Sequence, residues 1–259
     1  MIDIHCHLLP ELDDGPATWE QSLQMAQIAV DDGIRSVIAT PHQLGSYHGN
    51  PASLIRARIC ELRERLQAAK IPLQVYAGAD VRIEADLAER LRRDEVLTLA
   101  EQRRHVLLEL PHELYFPLEP LLAQLKSLGI TGILSHPERN RGLLSDPSCL
   151  SRLVAHGCLM QITAGSLLGG FGRASQRLAE SMLAQGLVHF VASDGHGIEH
   201  RRPRLHAAYL RVVELTDRDT ADNLFVRFPA RVCEGLAVAI QRRSSAQPVR
   251  RWFGLARRA

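Results

Sequence analysis

A chain of 259 residues can bury one large core and falls in the size range of a single α/β barrel. Hydrophobic residues at 46%, charged residues at 23% and 31 Lys+Arg against 29 Asp+Glu describe an ordinary globular protein. The resulting net charge of +2 lacks the basic surplus expected of a nucleic-acid binder. No apolar run approaches the roughly 18 residues needed to span a bilayer, which excludes membrane insertion. The opening MIDIHCHLLP has no basic and then apolar leader, and five cysteines without framework spacing fit a reducing cytoplasm.

In chain order, a β-branched run predicts a first strand at Ile2–Ile4. A helix follows over Thr18–Asp32, where Leu23, Ala26, Ile28 and Ala29 repeat at three- and four-residue spacing and Gly33 ends the segment. Next come a strand at Ser36–Thr40, a helix at Ala52–Ala69, and strands at Leu73–Ala77 and His105–Leu110. A helix at Leu118–Leu128, closed by Gly129, leads to a strand at Gly132–Ser135. A helix at Pro147–His156 and Gly157 lead to a strand at Leu159–Thr163. A helix at Ala174–Gln185 and Gly186 lead to the last strand, Val188–Ser193.

Seven strands alternating with helices predict parallel βα units. An open doubly wound sheet is the competing α/β architecture, but no glycine-rich phosphate loop follows the first strand. The expectation is a closed or nearly closed, TIM-like (β/α)7 barrel. Residues 1–240 read as one domain without a linker. Residues 241–259, QRRSSAQPVRRWFGLARRA, form a basic tail with the composition of a loosely packed terminus.

Metal-capable side chains fall at or just past the predicted strand ends. His5 and His7 follow the first strand at i, i+2, which puts both imidazoles on one face of an extended segment. His42 follows the second strand in ATPH, Asp80 the third in AGADVRI, and Glu109 closes the fourth in VLLELP. His136 follows the fifth in LSHPERN, and Asp194 and His196 follow the seventh in VASDGH. Singly, each would pass as a hydrogen-bonded structural residue. Together, at the barrel face where parallel strands converge, they describe one site. So many carboxylates and imidazoles are costly to desolvate unless divalent cations compensate, and mixed N/O ligands favour Mn, Zn or Fe over Ca.

The strings DIHCHLLPELDDG, ATPH, LSHPERN, QITAGSLLGGFG and VASDGH resemble the PHP (polymerase and histidinol phosphatase) superfamily, from Met1 to about Val212. More narrowly they resemble the bacterial PHP-type protein-tyrosine phosphatases of capsule and exopolysaccharide loci. That resemblance implies a distorted (β/α)7 barrel with three metal ions, manganese first, with iron, zinc or magnesium as alternatives. It implies one ion on His5, His7 and Asp194 with Asp80 as bridge. A second would share Asp80 and take Glu109 and His136, and a third would use Asp14, His42 and His196. Asp13 is the weaker candidate of the DDG pair. Two departures stand out: the bridging position is Asp80 rather than Glu, and the last motif reads SDGHG rather than SDAHN.

Arg139, three residues past His136, can present a planar fork to phosphate, and Arg201 resembles the family's second phosphate-binding arginine, with Arg202 as the neighbouring register. Metal-assisted phosphate ester hydrolysis follows. A cysteine phosphatase is excluded by counting: six residues past Cys6, Cys60, Cys149, Cys158 and Cys233 lie Leu12, Leu66, Ala155, Ala164 and Ala239, never the arginine such a loop needs. The resemblance implies a phosphotyrosine tail of a bacterial tyrosine kinase as substrate. The rivals are a small-molecule phosphatase of the histidinol phosphate type, a metal-dependent nuclease, and a non-catalytic metal-binding regulatory module.

Overall fold

A computed structural model describes residues 1–238; the basic tail at 241–259 lies outside the described residues. The strands are β1 (Ile2–Cys6), β2 (Ser36–Ala39), β3 (His42–Gln43), β4 (Gln74–Ala77), β5 (Asp80–Arg82), β6 (His105–Glu109), β7 (Thr131–Ser135), β8 (Leu159–Thr163) and β9 (Phe190–Ala192). Among the described residues, every pair of these strands is parallel, as βα alternation predicts.

The strands form two sheets, β1-β2-β4 and β3-β5-β6-β7-β8-β9, rather than one closed sheet. The second and third predicted strands each resume after a break. Pro41, which has no N–H to give to a ladder, separates β2 from β3. Gly78 separates β4 from β5, where an added Cβ would lie 2.7 Å from Ile38 Cγ2. Hydrogen bonds still run across the gaps, from Thr40 N to Cys6 O (2.9 Å) and from Asp80 N to Pro41 O (3.1 Å). At the other edge, Asp194 N donates to His5 O (2.9 Å) and His7 N to Gly195 O (2.8 Å), tying β1 to the segment after β9.

Helices cover the outside: α1 (Trp19–Asp31), α2 (Ala52–Ala68), α3 (Leu87–Arg92), α4 (Glu119–Ser127), α5 (Arg141–Ser145), α6 (Ser148–Ala155), α7 (Ala164–Leu167) and α8 (Gly172–Ala184). Thr18 caps α1 by accepting from Gln21 N (3.3 Å), at the start the apolar spacing predicts. All residues of β6 and β8 are buried, so these strands are covered on both faces and carry no polar alternation. Ile4, Ile38, Leu107, Ile133, Leu159 and Phe190, from six strands, meet in one inner core. Leu99 and Ala100 of a 3-10 turn, with Val232, close it from one end.

The C-terminal segment adds α9 (His206–Leu215), α10 (Arg218–Asp222), a π-helical turn (Asn223–Arg227) and α11 (Phe228–Cys233), none of them among the elements read from the sequence. The wider turn rotates the apolar face part-way along, which erases a single three-four period. Among the described residues, no helix is long and apolar enough to cross a membrane.

A candidate metal centre and anion clamp at the strand ends

Parallel strands deliver their C-terminal ends to one mouth, and the residues there are buried yet polar. His5, His7, Asp80, Glu109, His136, Asp194 and His196 are all buried. Three imidazoles are fixed in the same tautomeric sense from behind. His5 Nδ1 donates to Gln161 Oε1 (2.8 Å), His7 Nδ1 to Asp13 Oδ2 (2.7 Å) and His196 Nδ1 to Asp194 O (2.9 Å). Each bond leaves Nε2 as a lone pair facing the centre, the arrangement used to orient a metal-ligating histidine. His5 Nε2 and His7 Nε2 then face each other at 3.2 Å with no proton left to share. A cation between them resolves that contact.

The carboxylates complete the pattern. Asp80 Oδ2 lies 3.5 Å from His5 Nε2, 3.6 Å from His42 Nδ1 and 3.8 Å from His136 Nε2, and among the described residues neither Asp80 oxygen has a hydrogen-bond partner. Asp194 Oδ1 lies 3.2 Å from His5 Nε2 and 3.7 Å from His7 Nε2. Asp14 Oδ1 reaches His196 Nε2 (3.3 Å) and His42 Nε2 (3.6 Å). Among the described residues, three groups, each residue offering one ligand atom, have those atoms within 4.8 Å of one another: His7, Asp14, His42 and His196; His5, His7 and Asp80; and His42, Asp80 and Glu109. Unpartnered buried oxygens and mixed N/O donors fit divalent transition-metal ions.

Charge states show the same demand. Burial and the neighbouring Asp80 carboxylate push Glu109 up to about 8. Burial pushes His7 and His136 each down to about 4. Burial alone would raise Asp80 and Asp194, but surrounding imidazoles, and for Asp194 also Arg201 and Arg139, hold both below the usual carboxylate range.

Arg139 and Arg201 both donate to Asp194 Oδ2, at the rim of this cluster. Of the two registers considered for the second arginine, it is Arg201 that reaches the site, while Arg202 is exposed. His136, Asp194 and Arg201 all have positive φ (35°, 52° and 49°), a conformation that costs a non-glycine residue about 1–3 kcal/mol and gathers at functional sites. Gly195 lets the Arg201 loop fold close, since an added Cβ would lie 3.0 Å from Pro203.

All eleven candidate residues read from the sequence converge here: His5, His7, Asp14, His42, Asp80, Glu109, His136, Asp194 and His196 with Arg139 and Arg201. The groupings differ in detail from the expected sets. His7 also lies within reach of Asp14, His42 and His196, and His42 Nδ1 is 3.5 Å from Glu109 Oε2, whereas His136 joins the cluster through Asp80. Asp13, the weaker candidate of the DDG pair, takes a supporting role. It is no ligand candidate but the anchor of His7, and it also accepts from His42 N (2.8 Å) and Gly15 N (2.9 Å). Gln161, in QIT at the end of β8, is a contributor that sequence reasoning does not single out; its place near a strand end is the available signal.

Known proteins carry the same arrangement of chain. The tyrosine-protein phosphatase YwqE of Bacillus subtilis (strain 168) is 38% identical over 203 residues, covering 78% of this chain and 79% of that protein. The tyrosine-protein phosphatase CpsB of Streptococcus pneumoniae is 28% identical over 237 residues, covering 90% and 98%. A crystal structure from a study of YwqE and CpsB, described as unique metal-dependent tyrosine phosphatases, superposes with a TM-score of 0.87 at 34% identity, covering 97% of this chain and all of that one. The lactonase Lmo2620 of Listeria monocytogenes, at 14% identity and a TM-score of 0.54, shares the fold alone. The family profile described as capsular polysaccharide synthesis, CpsB/CapC, matches residues 1–234, and this chain belongs to that family.

Proposed function

We propose that this chain is a metal-dependent protein-tyrosine phosphatase that acts in the cytoplasm on the phosphotyrosine tail of a bacterial tyrosine kinase controlling capsular or exopolysaccharide synthesis. The observation that carries this reading is the meeting of inward-facing, unprotonated Nε2 atoms and an unpartnered Asp80 carboxylate with two guanidiniums at one rim. The names of the relatives support the substrate class.

The residues fit three divalent ions, with Mn²⁺ the first choice. His5, His7, Asp194 and Asp80 would hold one; Asp80, Glu109 and His136 a second; Asp14, His42 and His196 a third. When bound, divalent ions lower the pKa of water and polarise phosphoryl oxygens. Arg139 and Arg201 bind the equatorial oxygens and stabilise their charge. Asp13 and Gln161 hold His7 and His5 in register. A tyrosine leaving group, with an ordinary pKa near 10, leaves far more readily than an alkyl alcohol. The two sheets are read as a distorted (β/α)7 barrel, in which β2 with β3 and β4 with β5 count as single interrupted staves. The Cys6–Gly195 bridge and the inner core shared by six strands support that reading.

Steady-state rates on phosphotyrosine peptides and on histidinol phosphate test the proposal. Chelation is expected to abolish hydrolysis, Mn²⁺ to restore it and thiol alkylation to leave it unchanged. Preference for histidinol phosphate would move the chain to the small-molecule branch, and full turnover in a verified metal-free preparation would end the metal reading.

A further inference from the structure

Beneath the two arginines lies an aromatic ring. Arg139 Cζ is 4.3 Å from the centroid of Phe171, and Arg201 Cζ is 5.9 Å from it. Among the described residues, this half-buried phenyl belongs to neither hydrophobic core, so packing of the interior does not account for it. The loop is nevertheless built to place it. Gly170 N donates to Gly165 O (2.8 Å) and Gly172 N to Gly169 O (3.1 Å). A Cβ on Gly165 would lie 2.9 Å from Phe171 Cε2, so only glycine leaves the ring its seat.

We propose that Phe171 is a positioning residue for the phosphate clamp: its ring face holds both guanidiniums so that their N–H edges converge on one phosphoryl group. This rests on the reading of Arg139 and Arg201 as phosphate ligands. Asp194 also holds the two arginines, but its charge is shared with the metal centre, and a carboxylate beside the clamp repels an incoming phosphate. A ring face attracts a guanidinium through its quadrupole, carries no net charge and takes up none of the N–H donors. An aromatic support therefore orients the clamp without competing with its ligand.

The test uses metal-loaded Phe171→Leu and Phe171→Tyr beside Arg139→Ala and Arg201→Ala. Metal content, the dissociation constant for inorganic phosphate by calorimetry, and kcat and KM on an aryl phosphate are measured for each. Phe171→Leu is expected to weaken phosphate binding about three- to tenfold and to lower kcat/KM comparably at unchanged metal content, with Phe171→Tyr close to the parent. Inorganic phosphate has no ring, so its loss reports on the arginines and not on stacking against the substrate. If leucine disturbs folding, a series of fluorinated phenylalanines at 171 keeps the shape while weakening the ring quadrupole, and phosphate affinity should fall along the series. A flat series, or unchanged phosphate binding in Phe171→Leu while Arg139→Ala weakens it, overturns the inference alone. Unchanged binding in both arginine variants overturns the clamp on which it rests.

Discussion

Asp80 places one oxygen within 3.8 Å of three imidazoles despite reaching about 1.5 Å less than a glutamate would. β5 begins at Asp80 itself, directly after the break at Gly78. Asp80→Ala is expected to lose at least one ion and nearly all turnover, and Asp80→Glu to retain metal; elemental analysis with a turnover assay checks both. Arg139→Ala should lower turnover about 10²–10³-fold at intact metal content, with Lys rescuing poorly because it keeps the charge without the planar fork. Unchanged kinetics would assign Arg139 to Asp194 alone. Single residues were legible where their role follows from topology: strand-end His, Asp and Glu must meet if the strands are parallel. Asp13 and Phe171 were not, because nothing local says which carboxylate of a DDG turn faces inward or which loop lies under a distant arginine.

At the level of elements, the turn after β7 is tied down by Asn140 and Glu138. Asn140 Oδ1 caps α5 by accepting from Leu143 N (2.9 Å), while its Nδ2 donates to Pro111 O (2.8 Å) and Leu114 O (3.0 Å) of the loop after β6. Glu138 Oε1 accepts from Thr163 N (2.9 Å) and Ser166 Oγ (2.7 Å), linking the same turn to β8 and α7. Asn140→Ala removes a cap worth about 1 kcal/mol and the side-chain donor to the part-buried Pro111 and Leu114 carbonyls. A loss of roughly 1–2 kcal/mol in urea unfolding is expected, with reduced turnover because Arg139 is the adjacent residue; Asn140→Asp should recover the cap but not the donors. Helices and strands were legible where a period or a cap survives, as at Thr18. The breaks at Pro41 and Gly78 divide strands whose apolar pattern runs on, and the π-helical turn hides α10 and α11 from any fixed period.

For the whole molecule, stability is coupled to proton and metal binding. His105, at the start of β6, is buried with neither ring nitrogen partnered among the described residues, and burial pushes its pKa down from 6.5 to about 4. It is neutral in the folded state across that window, whereas the unfolded chain takes up a proton below 6.5. The unfolded state therefore binds more protons between pH 6.5 and about 4, and stability falls as pH falls through it. His105→Leu should flatten the stability profile relative to the parent by on the order of 2–3 kcal/mol between those pH values, read from parallel urea titrations. Equal slopes would place the acid sensitivity elsewhere. Chelation should lower Tm as well as activity, because ions that bind only the folded state stabilise it by mass action.

The bonds between β1 and the segment after β9 join residues up to 190 positions apart, as between Asp3 and Ser193. During synthesis at about 5–20 residues per second, the first strand emerges tens of seconds before its closing partner. His5 and His7 thus leave the ribosome well ahead of Asp194 and Gly195, whose backbone they pair with, and wait for that segment to complete their surroundings. Cofactor loading becomes a late event in biogenesis, and a nascent chain stopped short of Asp194 would carry exposed imidazoles without the framework that selects one cation over another.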